Sequence, residues 1–154
     1  MDATDTGIYA GEVTGLDRVV QIGIASGRVI SLSFPEVPDE DASRNHALLD
    51  RLRAYFSGEP DEFSDVPVAL TVPTDHRAVL DRVGEVPYGK TTDVATLARA
   101  VPGLDVDEEG PRIVRAALEE NPVPVLIPDH RVRDGPSAAP DDVVRVLRSL
   151  ESAE

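Results

Sequence analysis

Apolar residues in the first third of the chain fall on alternate positions. Val20, Ile22 and Ile24 share one side, and after Ser26-Gly27 the run Val29-Ile30-Ser31-Leu32-Ser33-Phe34 offers a second strand. Period-two spacing marks a half-buried strand, and Ser-Gly between two such runs predicts a hairpin. Residues 35–43 are acidic and proline-containing, which predicts a loop. The period then changes: Leu48, Leu49, Leu52, Tyr55 and Phe56 recur at helical spacing, and Gly58 just past them is a stop signal. Residues 66–72 read as a short strand, so residues 1–72 read as a small α/β unit, followed by a linker at Pro73.

The second half reads as helices. Thr74 is placed to cap a helix carrying Val79, Leu80 and Val83 that ends before Pro87. Thr92 or Asp93 opens another, with Val94, Leu97, Ala98 and Val101 on one face, until Pro102-Gly103 breaks it. A third spans about residues 109–120, with Pro111 in its first turn and Val114, Ala117 and Leu118 inward. Two helices joined by a short Pro-Gly turn make a helix-turn-helix arrangement. Pro140 begins a last helix bearing Val143, Val144, Leu147 and Leu150.

Charge changes this picture more than size does. The formal net charge is -14, from 29 acidic and 15 basic residues, and Lys90 is the lone lysine. Abundant carboxylates with almost no lysine resemble the proteins of extreme halophiles, in which carboxylates keep the surface hydrated and self-repulsion loosens the fold in dilute buffer. The expectation is a fold that needs salt; the alternative is an ordinary acidic surface. There is no cysteine, and His46, His76 and His130 are too scattered for zinc spacing, so neither a metal nor any other cofactor is expected. The start, Met1-Asp2-Ala3-Thr4-Asp5, is unlike a secretory signal, and the apolar runs are far shorter than the roughly 20 residues that span a bilayer. These features predict a cytoplasmic monomer with no membrane partner.

One stretch carries the chemistry: Asn121-Pro122-Val123-Pro124-Val125-Leu126-Ile127-Pro128-Asp129-His130-Arg131-Val132. It resembles the active-site segment of the O6-alkylguanine-DNA alkyltransferases. Val86-Pro87-Tyr88-Gly89-Lys90-Thr91-Thr92, with Leu97 and Ala98 behind it, is similar to that family's entry into its DNA-binding helix pair. The run from Leu49 to Gly58, with Phe63 and Val66-Pro67-Val68, is similar to the end of its amino-terminal domain. The resemblance implies an α/β fold: a small ribonuclease-H-like N-terminal domain over residues 1–72, and a helical, winged-helix-like DNA-binding domain over residues 73–154.

The family moves an alkyl group from guanine onto a cysteine between proline and histidine, where this chain has Asp129. By the same resemblance His130 matches the histidine that activates the thiol through water, Glu151 the carboxylate that orients it, and Asn121 the asparagine that ties recognition helix to active-site strand. Arg112 matches the arginine that fills the hole left by a flipped nucleotide. Val94 stands where the family has a tyrosine that rotates a phosphate. Residues 133–140 replace a longer loop whose aromatic grips the base. Around Arg112 the family keeps small residues, whereas this chain has Pro111, Ile113 and Arg115, and Glu108 and Glu109 suit the helix dipole but oppose phosphate.

Alternatives stand beside several of these roles. Asp129 either accepts an alkyl group as an ester or caps a turn beside Arg131 or His130. His130 either serves chemistry or holds a turn. Arg112, Arg115, Arg131 and Arg133 either form a local patch for double-stranded DNA or partner surface carboxylates. Three functions follow: a non-catalytic alkyltransferase-like protein that binds DNA, with excision-repair proteins as partners; a dealkylating enzyme using Asp129; or a degenerate homologue acting as a protein interaction partner.

Overall fold

The computed structural model describes residues 4–14, 16–104 and 108–152. Strands β1 (Gly7–Val13), β2 (Arg18–Ala25) and β3 (Arg28–Ser33) form an antiparallel sheet in the order β1-β2-β3. The expected hairpin joins β2 to β3. Ser26 and Gly27 both take positive φ, 52° and 76°, the backbone of a type I′ turn whose twist matches that of the strands it joins. Strand β1 has no counterpart in the sequence reading, because glycine breaks its alternation. Gly11 is there for space: a Cβ at that position would lie 2.0 Å from Arg53 Nη2. Arg53 crosses the strand at this point and donates from Nε to the Glu12 carbonyl at 3.1 Å.

Helix α1 (Ala47–Phe56) buries Leu48, Leu49, Leu52, Tyr55 and Phe56, and Gly58 at φ 108° follows its end. His46 caps it, accepting from Leu48 N–H through Nδ1 while Nε2 meets Asp5 at 2.7 Å. The strand expected over residues 66–72 does not form. The segment touches β3 at one bridge, Val29 with Val68, using Val29 N–H to Pro67 O and Ala69 N–H to Val29 O. Pro67 has no N–H to donate, which stops the ladder on its N-terminal side, and further along β3 the Leu32 N–H is taken by the Pro122 carbonyl instead.

Helices α2 (Thr74–Val83), α3 (Val94–Ala100) and α4 (Glu109–Glu119) pack on one another. Thr74 is the first residue of α2 rather than its cap; the capping position is Pro73, which makes no side-chain bond. Asp93 is the cap of α3, accepting from Thr96 N–H at 2.8 Å. Between α3 and α4, residues 105–107 lie outside the described residues, as do residues 1–3 of the acidic start.

Helix α5 (Asp141–Ser152) buries Val143 and Leu147, half-buries Val144 and Leu150, and also buries Glu151. It packs on α1 and on the 3-10 turn Asp129–Arg131, which places the end of the chain against the segment that carries the chemistry. Among the described residues no helix is long and apolar enough to cross a membrane.

Candidate functional site

Residues 121–132 are almost entirely buried and contain Pro122, Pro124 and Pro128, none of which can donate a backbone hydrogen bond. A buried segment that cannot form a ladder must satisfy its polar groups by other means. Asn121, 4% exposed, does so. Its Nδ2 donates to the Ile127 carbonyl at 3.0 Å and to Asp129 Oδ2 at 3.1 Å, and its Oδ1 accepts from Val123 N–H. Leu32 N–H of β3 donates to the Pro122 carbonyl, tying the segment to the sheet. Val125 sits at φ 78°, a conformation that costs a β-branched residue about 1–3 kcal/mol. The Ile127 N–H to Val123 carbonyl bond closes the bend around it.

Asp129 is 1% exposed. Ser137 Oγ donates to Oδ1, and Ala138 N–H donates to Oδ2 at 2.9 Å beside the Asn121 amide. Neither Arg131 nor His130 supplies a bond to this carboxylate, so the turn-capping alternative is corrected in its partners: the donors are Asn121, Ser137 and Ala138. Burial raises the Asp129 pKa above the ordinary value, and the hydrogen bonds from Ser137, Ala138 and Asn121 offset only part of that.

His130 faces a different carboxylate. Its Nε2 lies 2.6 Å from Glu151 Oε2, while its buried Nδ1 has no partner among the described residues. Glu151 also accepts from Arg131 Nε at 2.8 Å, from Arg131 Nη2 at 3.2 Å and from the Tyr55 hydroxyl. Burial alone would push Glu151 up, but the bonds from His130, Arg131 and Tyr55 with the His130 charge prevail and hold it down at about 2. Tyr55 moves the other way, pushed far above its usual value by burial and then by its bond to the Glu151 carboxylate. Arg148 completes the frame, donating from Nε to the His130 carbonyl and from Nη2 to that of Val132.

This geometry orients an imidazole on a carboxylate but does not connect it to Asp129. Tyr55, Ser137, Ala138 and Arg148 were not singled out for these roles in the sequence. Tyr55 carries the period of a core helix and Ser137 sits in a polar loop, so neither position advertises its partner.

The DNA-contact candidates separate. Arg112 and Arg115 are exposed on α4 and, with Glu108, Pro111, Ala116 and Glu119, line a shallow hollow of about 470 Å3. Neither arginine has an ion-pair partner among the described residues. Arg131 does not belong to their surface patch: it is 5% exposed, held by Glu151 and by the Val86 carbonyl at 2.6 Å. Arg133 is exposed and pairs with Asp93 at 2.9 Å. Val94 is 1% exposed, so its side chain offers no surface to a nucleic acid. It is covered by Gly135, where a Cβ would come within 3.4 Å of Val94 and 2.6 Å of Leu118. Among the described residues no group of three or more His, Cys, Asp or Glu is placed to hold a metal ion.

The family model described as 6-O-methylguanine DNA methyltransferase, DNA binding domain, matches residues 74–138. A methylated-DNA-protein-cysteine methyltransferase of Methanopyrus kandleri is 36% identical over 95 residues, covering 62% of this chain and 68% of that protein. The chain belongs to the O6-methylguanine-DNA methyltransferase family. A second relative, a DNA base-flipping protein of Thermus thermophilus, is 36% identical over 100 residues, 64% of each chain. The fold agrees: the crystal structure of Mycobacterium tuberculosis OGT in complex with DNA superposes with a TM-score of 0.75 at 22% identity, covering 95% of this chain and 92% of that one. A family whose relatives are named for a protein cysteine is represented here by a chain that has none.

Proposed function

We propose that this chain binds double-stranded DNA without transferring an alkyl group, as a non-covalent member of its family. One observation carries the reading: the acceptor position holds Asp129, whose two oxygens are occupied by three donors inside the protein. A carboxylate is a harder, better hydrated and weaker nucleophile toward a saturated carbon than a thiolate, and this one is neither free nor exposed. The His130–Glu151 pair, which would activate a thiol through water, has no thiol to serve.

What supports DNA binding is the α4 face, where Arg112 and Arg115 stand exposed and, among the described residues, without an ion-pair partner in a chain of net charge -14. At molar salt the Debye length is about 3 Å, so local contacts of this kind count for more than net charge. In this reading residues 73–154 form the winged-helix-like DNA-binding unit, residues 1–72 the ribonuclease-H-like unit that supports it, and the bound duplex is passed by a monomer to excision-repair proteins.

A gel-shift series in concentrated potassium chloride, comparing duplex carrying O6-methylguanine with plain duplex, tests the reading. Saturable binding lost in Arg112→Ala supports it. Equal weakness toward every duplex, untouched by that substitution, rejects it. Intact mass after incubation with the methylated duplex should stay that of the unmodified chain.

A further inference from the structure

A second concentration of positive charge lies away from α4. A cavity of about 480 Å3 opens between the Gly89–Thr91 turn, the chain around His130 to Arg133, and the last turn of α5. Its lining includes Lys90, Arg133 and Arg148, and the lone lysine of the chain is among them. The charges are not all spent. Arg131, also at the wall, is neutralised by Glu151, and Arg133 shares its charge with Asp93. Lys90 and Arg148 have no ion-pair partner among the described residues.

Two of the donors, Arg148 and Thr91, are also held in place, and the backbone turn that presents Lys90 is closed. Arg148 uses Nε and Nη2 on the carbonyls of His130 and Val132, at 3.0 and 3.1 Å, which fixes its guanidinium and leaves Nη1 to donate elsewhere. Thr91 Oγ accepts from Arg133 Nη1 at 2.9 Å, so its own proton is free to donate. The turn that carries Lys90 is closed by its N–H bond to the Pro87 carbonyl at 3.0 Å, and Gly89 at φ 78° lies against the Glu151 carbonyl. A fixed guanidinium and hydroxyl with a lysine presented beside them around one cavity are the chemistry that recognises a tetrahedral oxyanion.

We infer that this cavity binds a phosphoryl oxyanion, carried either by a free phosphorylated ligand or by the backbone of DNA. The rival account is that Lys90 and Arg148 only complement the carbonyl end of α5. On that account no anion is bound.

The test uses the full chain, isotope-labelled, at the lowest salt that keeps its far-ultraviolet circular dichroism native, because screening at about 0.1 M already confines charges to roughly 10 Å. Inorganic phosphate is titrated against chloride at constant ionic strength, and plain duplex DNA is titrated separately. Saturable amide shifts at Gly89, Lys90, Thr91 and Arg133 are expected with at least one probe. Lys90→Gln, an exposed substitution that removes no internal hydrogen bond, should weaken that binding about two- to fivefold, and Lys90→Arg should restore it. Shifts with duplex that depend on Lys90 identify the source as the DNA backbone; shifts with inorganic phosphate alone identify a free ligand. Linear shifts with both probes, or saturable binding that Lys90→Gln leaves unchanged, overturn the inference. The DNA-binding reading stands or falls separately, on Arg112.

Discussion

The Ser137 hydroxyl donates to Asp129 Oδ1, so the carboxylate that stands at the acceptor position is bonded to the loop that lies over it. Ala138 N–H adds a second bond to the same group, and Gly135 presses the loop onto Val94 and Leu118. Asp129 therefore works as a latch, and its substitutions should sort by hydrogen-bonding capacity rather than by charge. Asp129→Ala leaves Ala138 N–H and one of the two Asn121 amide protons unsatisfied and should cost about 2–3 kcal/mol. Ser137→Ala removes the bond to Asp129 and the one its Oγ accepts from Ala139 N–H, and should cost about 1–2 kcal/mol. Asp129→Asn can keep all three contacts: its carbonyl oxygen takes the two N–H donors, and its amide donates to Ser137 Oγ once that hydroxyl turns away. Its stability at neutral pH should lie within about 1 kcal/mol of the parent. Urea unfolding measures the set, and an Asn variant as damaged as the Ala variant would refute the latch.

The two buried carboxyls oppose each other in acid. Glu151 is held at about 2 against an ordinary value of 4.5, so its contribution is fully present above about 4.5 and is lost as pH falls toward 2. Asp129 is raised, so its ionised form costs stability, and that cost disappears as pH falls through its elevated value. Acidification from neutrality should first stabilise the protein and then destabilise it. Weakened repulsion among surface carboxylates also stabilises on the first limb, which is why the comparison must be with Asp129→Asn. That variant should lose the Asp129 share of the first limb and keep the second. Urea midpoints against pH for both proteins decide it; superimposable curves would mean Asp129 is not raised.

Much of this arrangement was legible in the chain. The β2–β3 hairpin, the inward faces of α1 to α4 and the stop at Gly58 followed from period and turn chemistry, because each is a local property of its own residues. β1 was missed since Gly11 yields its place to Arg53, and the strand expected over residues 66–72 failed since Pro67 stops the ladder on one side and the Pro122 carbonyl takes the β3 edge on the other. The site divides in the same way. That His130 and Glu151 meet was an expectation from resemblance. That Tyr55 and Arg131 close around Glu151, and that Ser137 closes on Asp129, depends on contacts between segments 20 to 96 residues apart in one case and 8 in the other. Such partners leave no periodic trace. Arg131 shows the cost: its charge reads as surface, and only the packing of α5 reveals that it is inside.

Restoring sulfur should not by itself restore transfer. Asp129→Cys places a thiol beside the His130–Glu151 pair, but the loop over it has no aromatic to hold an extruded base, and Val94 carries no hydrogen-bonding group at the head of α3. The variant should show a thiol that titrates slowly in the folded protein, and an intact mass unchanged after incubation with O6-methylguanine duplex. A mass increase of one methyl group would show instead that the acceptor atom was the one element missing.

Salt separates two signs of electrostatics in this protein. The ion pairs Arg18–Asp142, Arg51–Asp65 and Arg53–Asp50 are exposed on at least one side, so each contributes little to stability, and screening weakens them. The 29 acidic residues against 15 basic ones repel, and screening relieves that. If repulsion dominates, as the near absence of lysine suggests, stability should climb with potassium chloride, and most of the purely screening part should be complete near 1 M, where the Debye length has fallen to about 3 Å. Any further rise at higher salt then reflects hydration of the carboxylate surface rather than screening. Thermal unfolding across a potassium chloride series, with sucrose at matched osmolality as the uncharged comparison, reads this directly. A transition that stays flat or falls as salt is added would return the acidic surface to an ordinary one.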